Sequence, residues 1–275
     1  MLVSVEQVEV DGLRIGYQRA GEGPPLVLLH GYVGDGPATW QPQFEALSDV
    51  FTVFAWDAPG AGRSDDPPDQ FTMAGYADCL RGFIERLALG RPHVAGLSFG
   101  GALAIEFGHR HPAVPRSLVL VSAYAGWAGS LPAEIVDQRL RQALMLAELP
   151  ADELVATLLP TMFTERTPPL LVRQFGTAIR AFHPVGFRAM ARASAENLRE
   201  ALPRIEVPTL LIYGDRDVRA PSAVAEDLHA AISGSTLEVL PGAGHVCNLD
   251  AADEFNAVLR RFLLAQRGPD SRDGC

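Results

Sequence analysis

Lysine is missing altogether: the 23 basic residues of this 275-residue chain are all arginine. With no ε-amine, neither a side-chain Schiff base nor a lysine general base is available. Positive charge as a whole is scarce. Against those 23 stand 33 Asp and Glu, for a net charge of −10, which argues against nucleic-acid binding, since that needs a basic face. Cysteine is nearly absent. Cys79, Cys247 and Cys275 make neither a disulfide framework nor a metal-ligand spacing, which suits a reducing compartment. No apolar run approaches a membrane span, and the start, MLVSVEQVEVDG, has neither the basic nor the apolar part of a signal peptide. No phosphate-binding glycine loop or ligand cluster occurs, so no cofactor and no metal is expected. The expectation is a soluble cytoplasmic protein with neither nucleic acid nor membrane as a partner. The sequence carries no signature of an oligomeric state.

What is present is a core: 48% hydrophobic and 20% charged residues are ordinary globular values. VSVEQVEV and LRIGYQRA flank Asp11-Gly12 and read as a hairpin. Apolar strands follow at 24–30, 50–57, 93–97, 117–123, 207–214 and 235–240, with helical periodicity at 71–90, after 98, before 235 and at 253–266. Strands alternating with helices predict an α/β fold, a mostly parallel central sheet with helices on both faces. From 127 to 196 the alternation stops and only helical stretches appear. The expected organisation is a core of 1–126 and 197–267, a helical cap inserted at 127–196, and a disordered tail at 268–275.

The chemistry concentrates at GLSFGG, residues 96–101, where a strand turns into a helix. A serine at such an elbow, Ser98, is held in a strained conformation that presents its hydroxyl, and side chains at Gly96 and Gly100 would clash. The hydroxyl needs a base. Of seven histidines, His109 and His111 close a helix, His93 opens the elbow strand at its far end, His229 is on a surface helix, His183 is in the insertion and His30 shapes a loop. His245, in PGAGH after the last strand, stands at the sheet edge where open α/β sheets place their sites. An acid must then orient the imidazole. The loop LIYGDRDVRAP offers Asp215 and Asp217, and spacing alone does not choose between them.

These segments, with HG at 30–31 and DAPGAGRSD at 57–65, resemble the α/β-hydrolase family over nearly the whole chain. The resemblance implies a serine hydrolase fold. Its G-x-x-D pattern selects Asp217, leaving Asp215 to hold the turn or to pair with Arg216 or Arg219. It further implies an oxyanion hole from the backbone N–H groups of Tyr32 and Phe99. HGYVGDGPATW is similar both to C–C bond hydrolases of dienone acids and to enol-lactonases; the C–C hydrolases follow the catalytic histidine with Trp, where this chain has Val246 and Cys247. The insertion, rich in Leu, Ala, Met and Phe and opening with Trp127, is expected to roof Ser98 with an apolar pocket, Trp127 being the candidate substrate contact. The expected function is hydrolysis of a small to medium apolar carboxylic ester or lactone, a small-molecule substrate, through an acyl-enzyme at Ser98. The alternatives are C–C bond hydrolysis and a ligand receptor with a slow triad.

Overall fold

The computed structural model describes residues 4–68 and 70–266; the expected tail, 268–275, with Cys275, lies outside the described residues. Asp11 and Gly12 have φ of 50° and 85°, the positive values a two-residue hairpin turn requires. They join β1 (Ser4–Val10) to β2 (Leu13–Ala20) as an antiparallel pair. The chain continues through β3 (Pro25–Leu29), α1 (Gly36–Leu47), β4 (Thr52–Trp56), α2 (Met73–Arg86), β5 (His93–Leu97), α3 (Phe99–Arg110) and β6 (Ser117–Val121). Five α-helices then follow without a strand: α4 (Trp127–Ser130), α5 (Ala133–Leu146), α6 (Ala151–Leu158), α7 (Pro169–Arg180) and α8 (Pro184–Ser194), with short 3-10 turns at Leu159–Thr161 and Arg199–Arg204. β7 (Thr209–Gly214), α9 (Ser222–Ala231), β8 (Thr236–Leu240), α10 (Cys247–Asp250) and α11 (Ala252–Ala265) complete the fold.

The strands form one sheet in the order β1-β2-β4-β3-β5-β6-β7-β8. It is antiparallel at β1–β2 and β2–β4 and parallel from β4 onward. α1 packs on α11 and α2 packs on α3, so both faces are covered and β4 to β7 are buried along their whole length. That is why these strands read as unbroken apolar runs. The order reverses at β3, whose neighbours are β4 on one side and β5 on the other. A crevice at such a switch point, at the carboxyl ends of the strands, is where open α/β sheets take their ligands.

α1 is a helix that hydrophobic periodicity does not announce. Pro37 in its first turn, Pro42 in its interior and the surrounding glycines blur the 3.6-residue period. Proline is tolerated in a first turn, where its missing N–H has no intrahelical partner, and the Asp35 side chain caps the helix by accepting from Ala38 N at 2.8 Å.

Candidate active site

Ser98 joins β5 to α3 with φ 55° and ψ −108°, a region that costs a non-glycine residue about 1–3 kcal/mol. The surroundings enforce it. Ser98 N–H donates to the Val121 carbonyl at 2.8 Å, and its own carbonyl accepts from Ala102 N at 3.0 Å. A Cβ on Gly96 would lie 2.0 Å from Gly100 O, and one on Gly100 would lie 2.4 Å from Leu29 O. The turn closes only with glycine at both places.

His245 sits in the loop after β8, and its Nδ1 is 2.9 Å from Asp217 Oδ2. The carboxylate can only accept, which fixes the ring proton on Nδ1 and leaves Nε2 as the acceptor nitrogen of the neutral ring. Asp217 Oδ1 accepts from Arg219 N at 2.8 Å and Ala220 N at 2.9 Å. Burial alone would push this carboxyl up, but the charge and hydrogen bond of His245 and the two backbone donors outweigh it and hold the group below its ordinary value. The two loops are tied to each other: Arg216 N donates to Ala243 O at 2.9 Å, and Gly242 N donates to Asp215 Oδ1 at 2.6 Å. Asp215 therefore braces the histidine loop. It pairs with neither arginine, because Arg216 engages Glu165 at 2.5 Å and Arg219 reaches Tyr32. On the far side of the histidine, Gly244 N donates to Asp250 Oδ2 at 2.6 Å, and Asp250 also takes the Thr167 hydroxyl from between α6 and α7.

Ser98 and His245 line one cavity of about 280 Å³, together with Tyr32 and Trp127. No hydrogen bond joins the serine to the histidine; such bonds commonly tighten only with substrate in place. His30, His93, His111, His183 and His229 are bonded to other partners and are not part of this lining. The backbone N–H groups of Tyr32, after β3, and Phe99, at the first turn of α3, donate to no acceptor among the described residues. The Tyr32 ring meets Trp127 and Phe187 edge-on at centroid distances of 5.9 and 5.2 Å, which fixes the loop that carries its N–H. Cys247 is fully buried, and burial pushes its thiol well up; it is a packed side chain without thiolate character. Among the described residues, no group of three His, Cys, Asp or Glu is gathered as a metal site, and no helix is long and apolar enough to cross a membrane.

The apolar pocket expected from the composition of 127–196 is more polar than that composition suggests. Trp127, Ala143, Leu146 and Leu158 do line the cavity, but so do Arg139, Gln142, Thr157 and Thr161, with Tyr124 and Arg219 from the core. Composition averages over a helix and does not say which face looks inward. For Arg139 a signal did exist. It stands in α5 in step with the buried residues Val136, Ala143 and Leu146, where helical periodicity calls for an apolar side chain. Tyr124 had no such signal. Burial pushes its phenol up to about 12, so it stays protonated and donates to the Arg219 carbonyl.

The chain is similar to known hydrolases along nearly its whole length. The human serine hydrolase BPHL is 29% identical over 95% of this chain and 87% of its own length. Among solved structures, an esterase from Thermogutta terrifontis, with malate bound, superposes with a TM-score of 0.86 at 25% identity over 96% of this chain and all of its own. An enol-lactonase from Burkholderia xenovorans LB400 gives 0.85 at 28% identity, covering 94% of this chain and all of its own. The family profile described as alpha/beta hydrolase fold matches residues 24–252, from the first parallel strand to the start of the last helix, and the chain belongs to this family of hydrolases.

Proposed function

We propose that the protein hydrolyses a small to medium carboxylic ester or lactone through an acyl-enzyme at Ser98, with His245 as base, Asp217 as its orienting acid and helices 127–196 as a cap over the site. The observation that carries this reading is the strained Ser98 sharing one cavity with a histidine whose other nitrogen is held by a buried carboxylate. Ser98 Oγ attacks the carbonyl carbon as His245 Nε2 takes the hydroxyl proton. The oxyanion is received by the N–H groups of Tyr32 and Phe99, each such donor being worth roughly 10²–10³ in rate. Collapse expels the alkoxide, which takes the proton back from the imidazolium. Water, deprotonated by the same histidine, then cleaves the acyl-enzyme and releases the acid. The likeness to an esterase and to an enol-lactonase supports ester or lactone as the scissile group.

A fluorophosphonate probe tests the nucleophile, because only an activated serine attacks its phosphorus. Wild type is expected to label and Ser98→Ala to remain unlabelled, with ester turnover lost in parallel. Labelling of Ser98→Ala at the wild-type rate overturns the assignment.

A further inference from the structure

The cavity beside Ser98 holds two guanidinium groups that no carboxylate pairs with among the described residues. Arg139 reaches in from α5. Its Nη1 donates to Tyr124 Oη at 2.9 Å, its Nη2 donates to the Arg219 carbonyl at 2.9 Å, and it stands 5.4 Å from the Tyr124 ring centroid. Arg219 follows Asp217 by two residues. Its Nη1 donates to Thr161 Oγ1 at 3.0 Å and its Nη2 to Tyr32 Oη at 3.1 Å. All of these acceptors are neutral. Asp217, the carboxylate sharing this corner, is committed to His245 and to the backbone N–H groups of Arg219 and Ala220. Elsewhere acidic partners are freely taken: Arg14 pairs with Asp65, Arg199 with Asp227 and Arg260 with Asp49.

Two half-buried cations line one cavity in a chain of net charge −10, a setting that favours a ligand of opposite charge. A guanidinium has five N–H donors in a fixed fork. Two on each arginine hold the groups in place, and the others remain for a ligand. The planar partner that matches such a fork is a carboxylate. We infer that Arg139 and Arg219 form a carboxylate-binding subsite within the Ser98 cavity, so that the preferred substrate is an ester or lactone carrying a free carboxylate. As a statement about substrate, this rests on Ser98 being the nucleophile. The cavity of about 280 Å³ is at the small end for ligand sites, which limits the substrate to a short chain between the carboxylate and the scissile carbonyl. Arg139 comes from the helical insertion and Arg219 from the core, so the subsite is complete only when the two are docked.

Matched ligands test the subsite. Wild type should hydrolyse monomethyl glutarate with a kcat/KM roughly ten- to hundredfold above that for methyl glutaramate, its neutral isostere, the range expected of a charge-assisted hydrogen bond. Arg139→Met and Arg219→Met should each reduce that ratio about tenfold or more, acting mainly through KM. Arg139→Lys, which keeps charge but loses the fork, should retain an intermediate preference. Calorimetric binding of glutarate against glutaramide to wild type measures the subsite without variants and without turnover, and should favour glutarate by a similar factor. Equal or weaker binding of glutarate overturns the inference, even if Ser98 labels normally. Preferential glutarate binding to a protein that neither labels nor turns over ester upholds the subsite and overturns only the hydrolytic reading.

Discussion

Asp215 and Asp217 stand two positions apart in one loop and differ in what reaches them. Asp217 is 5% exposed and accepts from His245 and two backbone N–H groups; Asp215 is exposed and accepts from Gly242 N. If Asp217 orients the base, Asp217→Asn favours the wrong imidazole tautomer, and kcat on an activated ester should fall by a factor approaching ~10⁴. Asp215→Asn retains a carbonyl that can accept from Gly242 and should cost about tenfold or less. Steady-state kinetics of both variants on one ester checks the pair, and a crippled Asp215→Asn would reverse the roles. A second consequence concerns acid stability. The folded value of Asp217 is depressed, so its contribution is fully present above the unfolded value of about 3.9 and is lost as pH falls through the lower folded value. Asp217→Asn should therefore show a shallower decline in melting temperature than wild type below about pH 4. Parallel declines in the two proteins would deny the linkage.

At the scale of the element, the elbow is a steric device. β5 runs into α3 at an angle that brings Gly96 against Gly100 and Gly100 against the end of β3. A methyl group at Gly96 meets backbone atoms, which cannot rotate away as a side-chain tip can. Gly96→Ala should accordingly destabilise by about 3 kcal/mol, the upper end of ordinary overpacking. It should also slow fluorophosphonate labelling, because α3 must shift and take Ser98 with it. Denaturant titration measures the first effect and labelling kinetics the second; a variant as stable as wild type would mean the elbow has slack. α1 marks the limit of reading elements from period alone. Its two prolines hide a helix that Asp35 caps and the core buries through Trp40 and Phe44.

At the scale of the whole molecule, the site depends on how the helices between β6 and β7 sit on the core. α8 approaches so closely that a Cβ on Gly186 would lie 2.0 Å from Gly60 O. Asp250, just after the histidine loop, holds the Thr167 hydroxyl. Gly186→Ala should lift α8 from the 57–65 loop and cost about 1–3 kcal/mol, read as a lower denaturation midpoint. Because Trp127, Arg139 and Leu146 reach the cavity from the same helical segment, the variant should also lose turnover of monomethyl glutarate more steeply than that of a minimal acetate ester. Equal losses on the two would mean that the docking of α8 does not shape the cavity.

Features that depend on neighbours in the chain are legible in the sequence. Asp11-Gly12 sets a hairpin, unbroken apolar runs mark strands buried on both faces, and glycines two positions either side of Ser98 mark an elbow that only glycine can close. These are local steric and burial requirements, and they are written within a few residues. Features that depend on approach across the fold emerge only once the chain is packed. Spacing alone leaves the two aspartates of one loop equivalent, and the family pattern only points to Asp217; the contact itself exists because His245, 28 positions after Asp217, comes within hydrogen-bonding distance of that carboxylate. Arg139 and Arg219, 80 positions apart, became one cationic corner of the cavity because packing turned α5 over the carboxyl edge of the sheet. Helical periodicity says that a helix has an inner face; only the docked partner says whether that face looks into core or into a cavity, and so whether a charge on it is a misfit or a binding group.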